Sequence, residues 1–230
     1  MNIRRLIPLI ALMAFPCFAQ SDEGTIRKLF EEKLKTKVEK VSKTPLPGIY
    51  EVISDGQVIY SDEKANYMFV GNLVELRTMR NITGERKFSL LPLDMAVKQV
   101  RGSGKNVLVT FEDPNCGYCK RLAKDLSRIK DLTLYTFLLP VLSEDSVEKT
   151  KAIWCAPDKA KAWNDWMISG TTPPSPSAKC DPNPMLDKTQ ELSQRLGIRG
   201  TPFLLFANGQ QSPGYIPASE IERRFNATPN

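Results

Sequence analysis

The sequence contains no histidine. That excludes Ser–His and Cys–His nucleophile pairs and any His-ligated zinc or haem. No apolar run is long enough to cross a bilayer: Leu6 to Phe15 gives about ten residues, where a spanning helix needs about twenty. There is no internal repeat and no low-complexity tract; Thr171 to Ser177 is only a local Pro/Ser loop. Single-sign charge is also missing. The 32 Lys+Arg are interspersed with 26 Asp+Glu, so the net charge of +6 and pI near 9.0 come without a basic run. This argues against nucleic-acid binding. What remains, at 41% hydrophobic and 25% charged over 230 residues, is ordinary globular composition with room for one large or two small domains.

The N-terminus reads as an address. Arg4 and Arg5 precede the apolar run, and Cys17-Phe18-Ala19 puts small residues at the −3 and −1 positions of a cleavage site. Residues 1–19 are therefore expected to be a secretory signal peptide, whose removal discards Cys17. Export leaves Cys116, Cys119, Cys155 and Cys180 in an oxidising compartment, where they should pair or perform redox chemistry.

Two units follow. Residues 22–35 show helical spacing of Ile26, Leu29, Phe30 and Leu34. Gly48 to Ile53 and Gln57 to Tyr60 flank Asp55-Gly56, a hairpin signal. Asn66–Val70 and Leu73–Met79 read as further strands. This α+β unit, 20–84, is marginal alone and would gain by pairing an edge strand with a second copy. Pro92 to Val100 reads as a short helix, broken by Gly102-Ser103-Gly104, within a linker over 85–104. From 105 to 230 the pattern is mixed: a buried strand at Asn106–Phe111, a helix from about Cys116, a strand at Leu132–Leu138, helical regions at 143–168 and 185–196, strands at Pro202–Phe206 and Gln210–Tyr215, and a helix at Ala218–Phe225.

Cys116-Gly117-Tyr118-Cys119 sits where a strand feeds a helix. A Cys-x-x-Cys pair can bind metal, but Cys155 and Cys180 lie 25 residues apart and make no second knuckle. The strand-to-helix position favours redox chemistry. Unpaired N–H groups and the positive dipole end at a helix start stabilise a thiolate, so Cys116 is expected to attack disulfides and Cys119, one turn on, to resolve the mixed disulfide. Thr201-Pro202 is expected to be a cis bond beside the pair. Cys155 and Cys180 read as a structural disulfide, with a second redox pair as the alternative. Trp154, Trp163 and Trp166, at helical spacing, read as core.

Together, Cys116-Gly117-Tyr118-Cys119, Asp113-Pro114-Asn115, Lys151 to Ala156, Lys179-Cys180-Asp181, Gly200-Thr201-Pro202 and Pro213-Gly214-Tyr215 resemble the DsbC/DsbG family of bacterial periplasmic disulfide isomerases. The resemblance is dense from Asn106 to Tyr215. It implies an α+β/α/β architecture: a cystatin-like dimerisation domain, a linker helix, and a thioredoxin-like catalytic domain with a helical insertion. It implies Cys116 as nucleophile and Cys119 as resolving cysteine. Gly117, Tyr118, Thr201 and Pro202 would contact substrate, Cys155–Cys180 would be a structural bridge, and dimer contacts would lie near Gly56. No metal or cofactor is implied. The implied partners are a second copy, mis-oxidised exported proteins and a membrane thiol reductase of the DsbD type, with no nucleic acid and no stable membrane association. Within the same fold, the alternatives are a DsbG-like reductase of single oxidised thiols and a DsbA-like oxidant; from another class, a non-catalytic chaperone. The Gly117-Tyr118 dipeptide favours the isomerase, because strong oxidants typically carry Pro-His there. Two features depart from the family. Thioredoxin-fold relatives place a buried acid six residues before the first cysteine, where this chain has Thr110; Glu112 and Asp113 are the nearby acids. The Gly102-Ser103-Gly104-Lys105 stretch also implies a shorter, more flexible linker.

Overall fold

The computed structural model describes residues 22–175 and 179–226. The expected signal peptide and Cys17 lie outside them.

The N-terminal unit is one helix, α1 (Asp22–Leu34), on a four-stranded antiparallel sheet of β1 (Val38–Lys43), β2 (Ile49–Ser54), β3 (Gln57–Asp62) and β4 (Met68–Phe69), in that order. Ile26 and Phe30 of α1 pack onto Val38, Val41, Tyr50, Val52 and Ile59. The β2–β3 turn falls at Asp55-Gly56, both at positive φ, as the hairpin signal required. The other face of the sheet is also covered. A helix α2 (Ile82–Ser89), capped by Asn81, sends Thr83 to the Tyr60 hydroxyl at 2.5 Å and Arg86 to Glu51 at 2.7 Å.

Three expectations need correction here. Leu73–Met79 is not one strand: β5 (Val74–Glu75) and β6 (Arg80–Asn81) form a tiny hairpin, its turn held by Thr78 bonding Glu75 and by Met79 at positive φ. Pro92–Val100 is not a helix. Leu93–Met95 is a single 3-10 turn, and β7 (Val97–Arg101) then pairs antiparallel with β9 (Leu132–Leu138). Val97 and Gln99 are buried while Lys98 and Val100 face out, which is the period of a strand. Gly102-Ser103-Gly104 is no linker. It is the turn from β7 to β8 (Val107–Glu112), with both glycines at positive φ and the Asp131 carboxylate accepting from Ser103 and the Lys105 N–H. The helix between the two units is α2, which begins before the expected linker.

The C-terminal unit is a five-stranded sheet in the order β11 (Gln211–Pro213), β10 (Phe203–Phe206), β8, β9, β7. Only β8 and β9 are parallel, joined through α3 (Gly117–Leu126), a crossover that places α3 against one sheet face. On that face Leu108, Leu122, Leu126 and Leu204 pack with Ile221 of α7 (Ala218–Asn226). The opposite face carries Val109, Phe111, Phe137 and Leu205 against α6 (Asn183–Arg195) and Phe88 of α2. Between β9 and β10 lies the helical insertion: α4 (Glu144–Trp154), α5 (Lys159–Asn164), a π-helical turn at Asp165–Ser169, and α6.

Candidate active site

Alternation along β8 directs Leu108, Thr110 and Glu112 to the α3 side of the sheet and Val109 and Phe111 to the other. The chain then leaves β8 through Asp113-Pro114-Asn115 and turns into α3. Asp113 fixes this turn. Its carboxylate is fully buried and accepts from the N–H groups of Asn115 (2.7 Å), Val141 (2.8 Å) and Leu142 (3.0 Å) and from the Ser146 hydroxyl (2.9 Å). A charged acceptor with four donors ties the loop to the start of α4. Asn115 adds a hydrogen bond to Asp145 at 2.7 Å.

Cys116 is the N-cap of α3, and its sulfur accepts from the Cys119 N–H at 3.3 Å. The thiol also reaches the Thr201 carbonyl at 3.4 Å. Thr201–Pro202 is cis, and the Pro202 carbonyl accepts from the Gly214 N–H at 2.8 Å, which draws Pro213-Gly214 alongside. A groove of about 320 Å³ opens there, lined by Arg199, Gly200, Thr201, Pro202, Pro213 and Gly214 among others. The structure thus brings Cys116, Thr201 and Pro202 together across 85 residues of sequence.

Both cysteines are unbonded thiols, but they differ in access. Cys116 keeps 6% exposure; Cys119 keeps none. Burial drives the Cys119 thiol far above the ordinary range, and the nearby Glu112 carboxylate and the Cys116 sulfur push it the same way. Glu112 is itself fully buried, and burial moves its carboxyl up to about 7 against a hydrogen bond from Thr110 at 2.7 Å.

Gly117 has open space around it and Tyr118 is 65% exposed, stacked at 6.4 Å on Tyr215. Arg121 covers the Tyr215 ring, whose hydroxyl donates to Asp125 at 2.6 Å. Sequence reading missed Trp166. Its indole N–H donates to the Pro114 carbonyl at 2.6 Å, and Lys120 and Lys149 lie over its ring at 4.2 and 4.6 Å. The cation–π pair holds two positive charges against the residues preceding Cys116. Helical spacing could not separate Trp166 from Trp163, which is buried core.

Cys155 and Cys180 are joined in a disulfide, away from the Cys116 pair in sequence and linking the end of α4 to the segment before α6. Gly56 sits elsewhere, at the β2–β3 turn. The Asp55 carbonyl beside it accepts from Arg195 of its own chain at 3.2 Å, and a Cβ on Gly56 would meet that guanidinium. Among the described residues, no three His, Cys, Asp or Glu side chains gather as a metal site.

Comparison with known proteins places these features in a family. Residues 93–228 match the family model described as a thioredoxin-like domain, and residues 17–84 match the disulfide bond isomerase protein N-terminal domain. The chain is 44% identical over 192 residues to the probable thiol:disulfide interchange protein DsbC of Bordetella pertussis, covering 80% of this chain and 67% of that protein. It is 28% identical over 219 residues to the thiol:disulfide interchange protein DsbC of Escherichia coli K12, covering 92% and 90%. A disulfide interchange protein from Neisseria gonorrhoeae superposes on 59% of this chain and 96% of its own, with TM-score 0.55 and 39% identity. With a Cys-x-x-Cys pair capping a helix of a thioredoxin-like domain behind its own N-terminal unit, this chain belongs to the DsbC family of thiol:disulfide interchange proteins, and is a thiol–disulfide oxidoreductase.

Proposed function

We propose that the protein is a periplasmic disulfide isomerase that reshuffles wrong disulfides in exported proteins. The observation that carries this reading is the asymmetry at α3: Cys116 at the helix cap, its thiol on the Thr201 carbonyl beside cis-Pro202, and a fully buried Cys119 one turn on. Cys116 attacks a substrate disulfide and forms a mixed disulfide, releasing one substrate thiolate. A substrate thiolate then attacks the mixed disulfide and displaces Cys116, so the exchange is redox-neutral. Cys119 acts only when this stalls; it then forms the Cys116–Cys119 disulfide and the substrate leaves reduced. A dithiol reductant, by family resemblance a membrane reductase of the DsbD type, returns the pair to the thiol state.

Thr201 and Pro202 support an extended substrate segment, and Gly117 and the exposed Tyr118 next to Cys116 contact it as well. Cys155–Cys180 is a structural bridge. The protein works as a homodimer, and the surfaces proposed for pairing are the β2–β3 turn at Gly56 and the β4 edge. Tyr67, Met68, Phe69 and Val70 are all exposed there, next to a strand with unpaired backbone groups. An accompanying chaperone activity is supported by the apolar rim of Tyr118, Val141 and Leu142 around the site, each about half exposed or more.

The test is reactivation of a scrambled multi-disulfide protein in glutathione buffer. Catalytic amounts of the mature chain are expected to restore native pairing faster than buffer. Cys116→Ala should lose this entirely, whereas Cys119→Ser should accumulate mixed disulfides and keep part of it. A fully active Cys116→Ala protein would overturn the mechanism. Cys116→Ala should still suppress aggregation of an unfolded chain; loss of that suppression argues against a separate chaperone activity.

A further inference from the structure

Among the residues lining the groove beside cis-Pro202, one is charged. Three glycines, two prolines, Thr201 and Phe203 line it together with Arg199. Glycine and proline side chains offer no donor or acceptor, so Arg199 dominates the polar character of the groove. The same groove reaches the reacting centre, because the Thr201 carbonyl accepts from the Cys116 thiol at 3.4 Å. Arg199 is two residues from Thr201, at most about 7 Å of extended backbone. A segment lying in the groove therefore meets Arg199 within a few residues of its reacting cysteine.

Local structure sets Arg199 there. Gly197, at positive φ, ends α6, and the Ile198 N–H donates to the Ser193 carbonyl at 2.9 Å. Ile198 packs onto the core cluster of Leu192 and Leu205, while its neighbour Arg199 is exposed. The other cations around the site are engaged. Lys120 and Lys149 lie over the Trp166 ring, Lys149 also pairs with Asp145, and Arg121 lies over the Tyr215 ring. Arg199 makes no ion pair, hydrogen bond or ring contact among the described residues. Its guanidinium is thus the one beside the groove with its donors free.

We infer that Arg199 makes this groove selective for substrate segments that carry an acidic side chain close to the reacting cysteine. The inference rests on the reading of Cys116 as nucleophile and names the substrate class which that nucleophile prefers. A guanidinium is a planar fork matched to a carboxylate, and the anions a polypeptide carries are its Asp and Glu side chains. Pro202, Phe203 and Pro213 present apolar surface, so charge is what distinguishes one polar segment from another here. The chemical step is the same for every segment. The Cys116 sulfur bonds to one substrate sulfur, the substrate S–S bond breaks, and the other sulfur leaves as a thiolate. Arg199 changes how often the encounter is productive. An exposed Arg–carboxylate pair is worth little, so the selectivity is graded, roughly 2- to 5-fold.

The experiment uses the reduced mature protein and the symmetric disulfides of two end-blocked tripeptides, acetyl-Glu-Cys-Glu-amide and acetyl-Gln-Cys-Gln-amide. Blocked ends leave the Glu side chains as the only carboxylates. Released peptide thiol is followed by acid quenching and chromatography, and the ratio of the Glu to the Gln rate constant is the readout. Arg199→Gln should lower that ratio by roughly 2- to 5-fold. Arg199→Lys, which keeps the charge, should preserve it. Lys130→Gln, an equal loss of charge at an exposed position between α3 and β9, should leave the ratio at the parent's value. Added salt should narrow the gap between parent and Arg199→Gln. An Arg199→Gln protein with the parent's ratio, or an equal fall in Lys130→Gln, overturns the inference. Peptide release by Cys116→Ala at the parent's rate would instead overturn the reading of Cys116.

Discussion

Four side chains shape the site, and two of them are ordinary in sequence. Cys116 and Cys119 differ by three positions and by everything that matters to reactivity: one caps a helix beside a groove, the other is sealed beneath it. Asp113 holds the loop between strand and helix with four donors, and Glu112 sits one residue earlier on the opposite side of the chain. Glu112 also carries a stability signature. In the unfolded chain it titrates near 4.5; in the fold, near 7. Below pH 4.5 both states hold the proton. Between these values the folded state keeps it and the unfolded state loses it, so stability falls as pH rises. Above pH 7 the loss is complete, at roughly 3 kcal/mol. Urea unfolding of the reduced protein should therefore show Glu112→Gln gaining on its parent by up to that amount between pH 4.5 and 8. A difference that does not change with pH would mean that Glu112 ionises as freely in the fold as outside it.

At the scale of elements, the regular pieces were legible and the irregular ones were not. α1, the β2–β3 hairpin, β8, β9 and α7 stand where periodicity and turn residues place them. β1 was missed because a register shift between Val38 and Lys40 sets its buried Val38 and Val41 three apart, which imitates neither a strand nor a helix. β7 was read as a helix for a related reason: Val97 and Val100 have helical spacing, but only Val97 is buried. α2 hides a second lesson. Gly84 lies inside the helix, where alanine would ordinarily be preferred by about 1 kcal/mol. Here a Cβ would run into the backbone of Gly209 in the turn after β10. Gly84→Ala should invert the propensity rule and destabilise by about 1–3 kcal/mol, read as a lower urea midpoint. Faster amide exchange in α2 should accompany it. Unchanged or raised stability would show that α2 is free of the sheet.

At the scale of the whole molecule, the N-terminal unit is not a separate bead. Glu51–Arg86, Tyr60–Thr83 and Asp55–Arg195 bind its sheet to α2 and to α6, so its second face is covered from within the chain. Of the sheet's two edge strands, β1 and β4, it is β4 that carries exposed apolar side chains, from Tyr67 to Val70. The mature protein is expected to sediment as a dimer. The double substitution Tyr67→Lys and Val70→Lys, on side chains 78% and 68% exposed, should weaken that dimer at least 10-fold while leaving the circular dichroism unchanged. A dimer equally tight in the double variant would move the interface away from β4.

The sequence by itself determined the division into two units, the redox pair on its strand-to-helix turn and the pairing partners in broad outline. These are local matters: a Cys-x-x-Cys spacing, a turn dipeptide, a run of strand-forming residues. Tertiary structure decided what touches the pair. Thr201 meets Cys116 from 85 residues away, Trp166 reaches back to Pro114, Arg195 reaches the Asp55-Gly56 turn, and Glu112 turns inward beside Thr110 to face a cavity of about 10 Å³. None of these follows from spacing, because the sign and size of a buried group's effect depend on which neighbours replace its water, and those neighbours are chosen by the packing of distant segments.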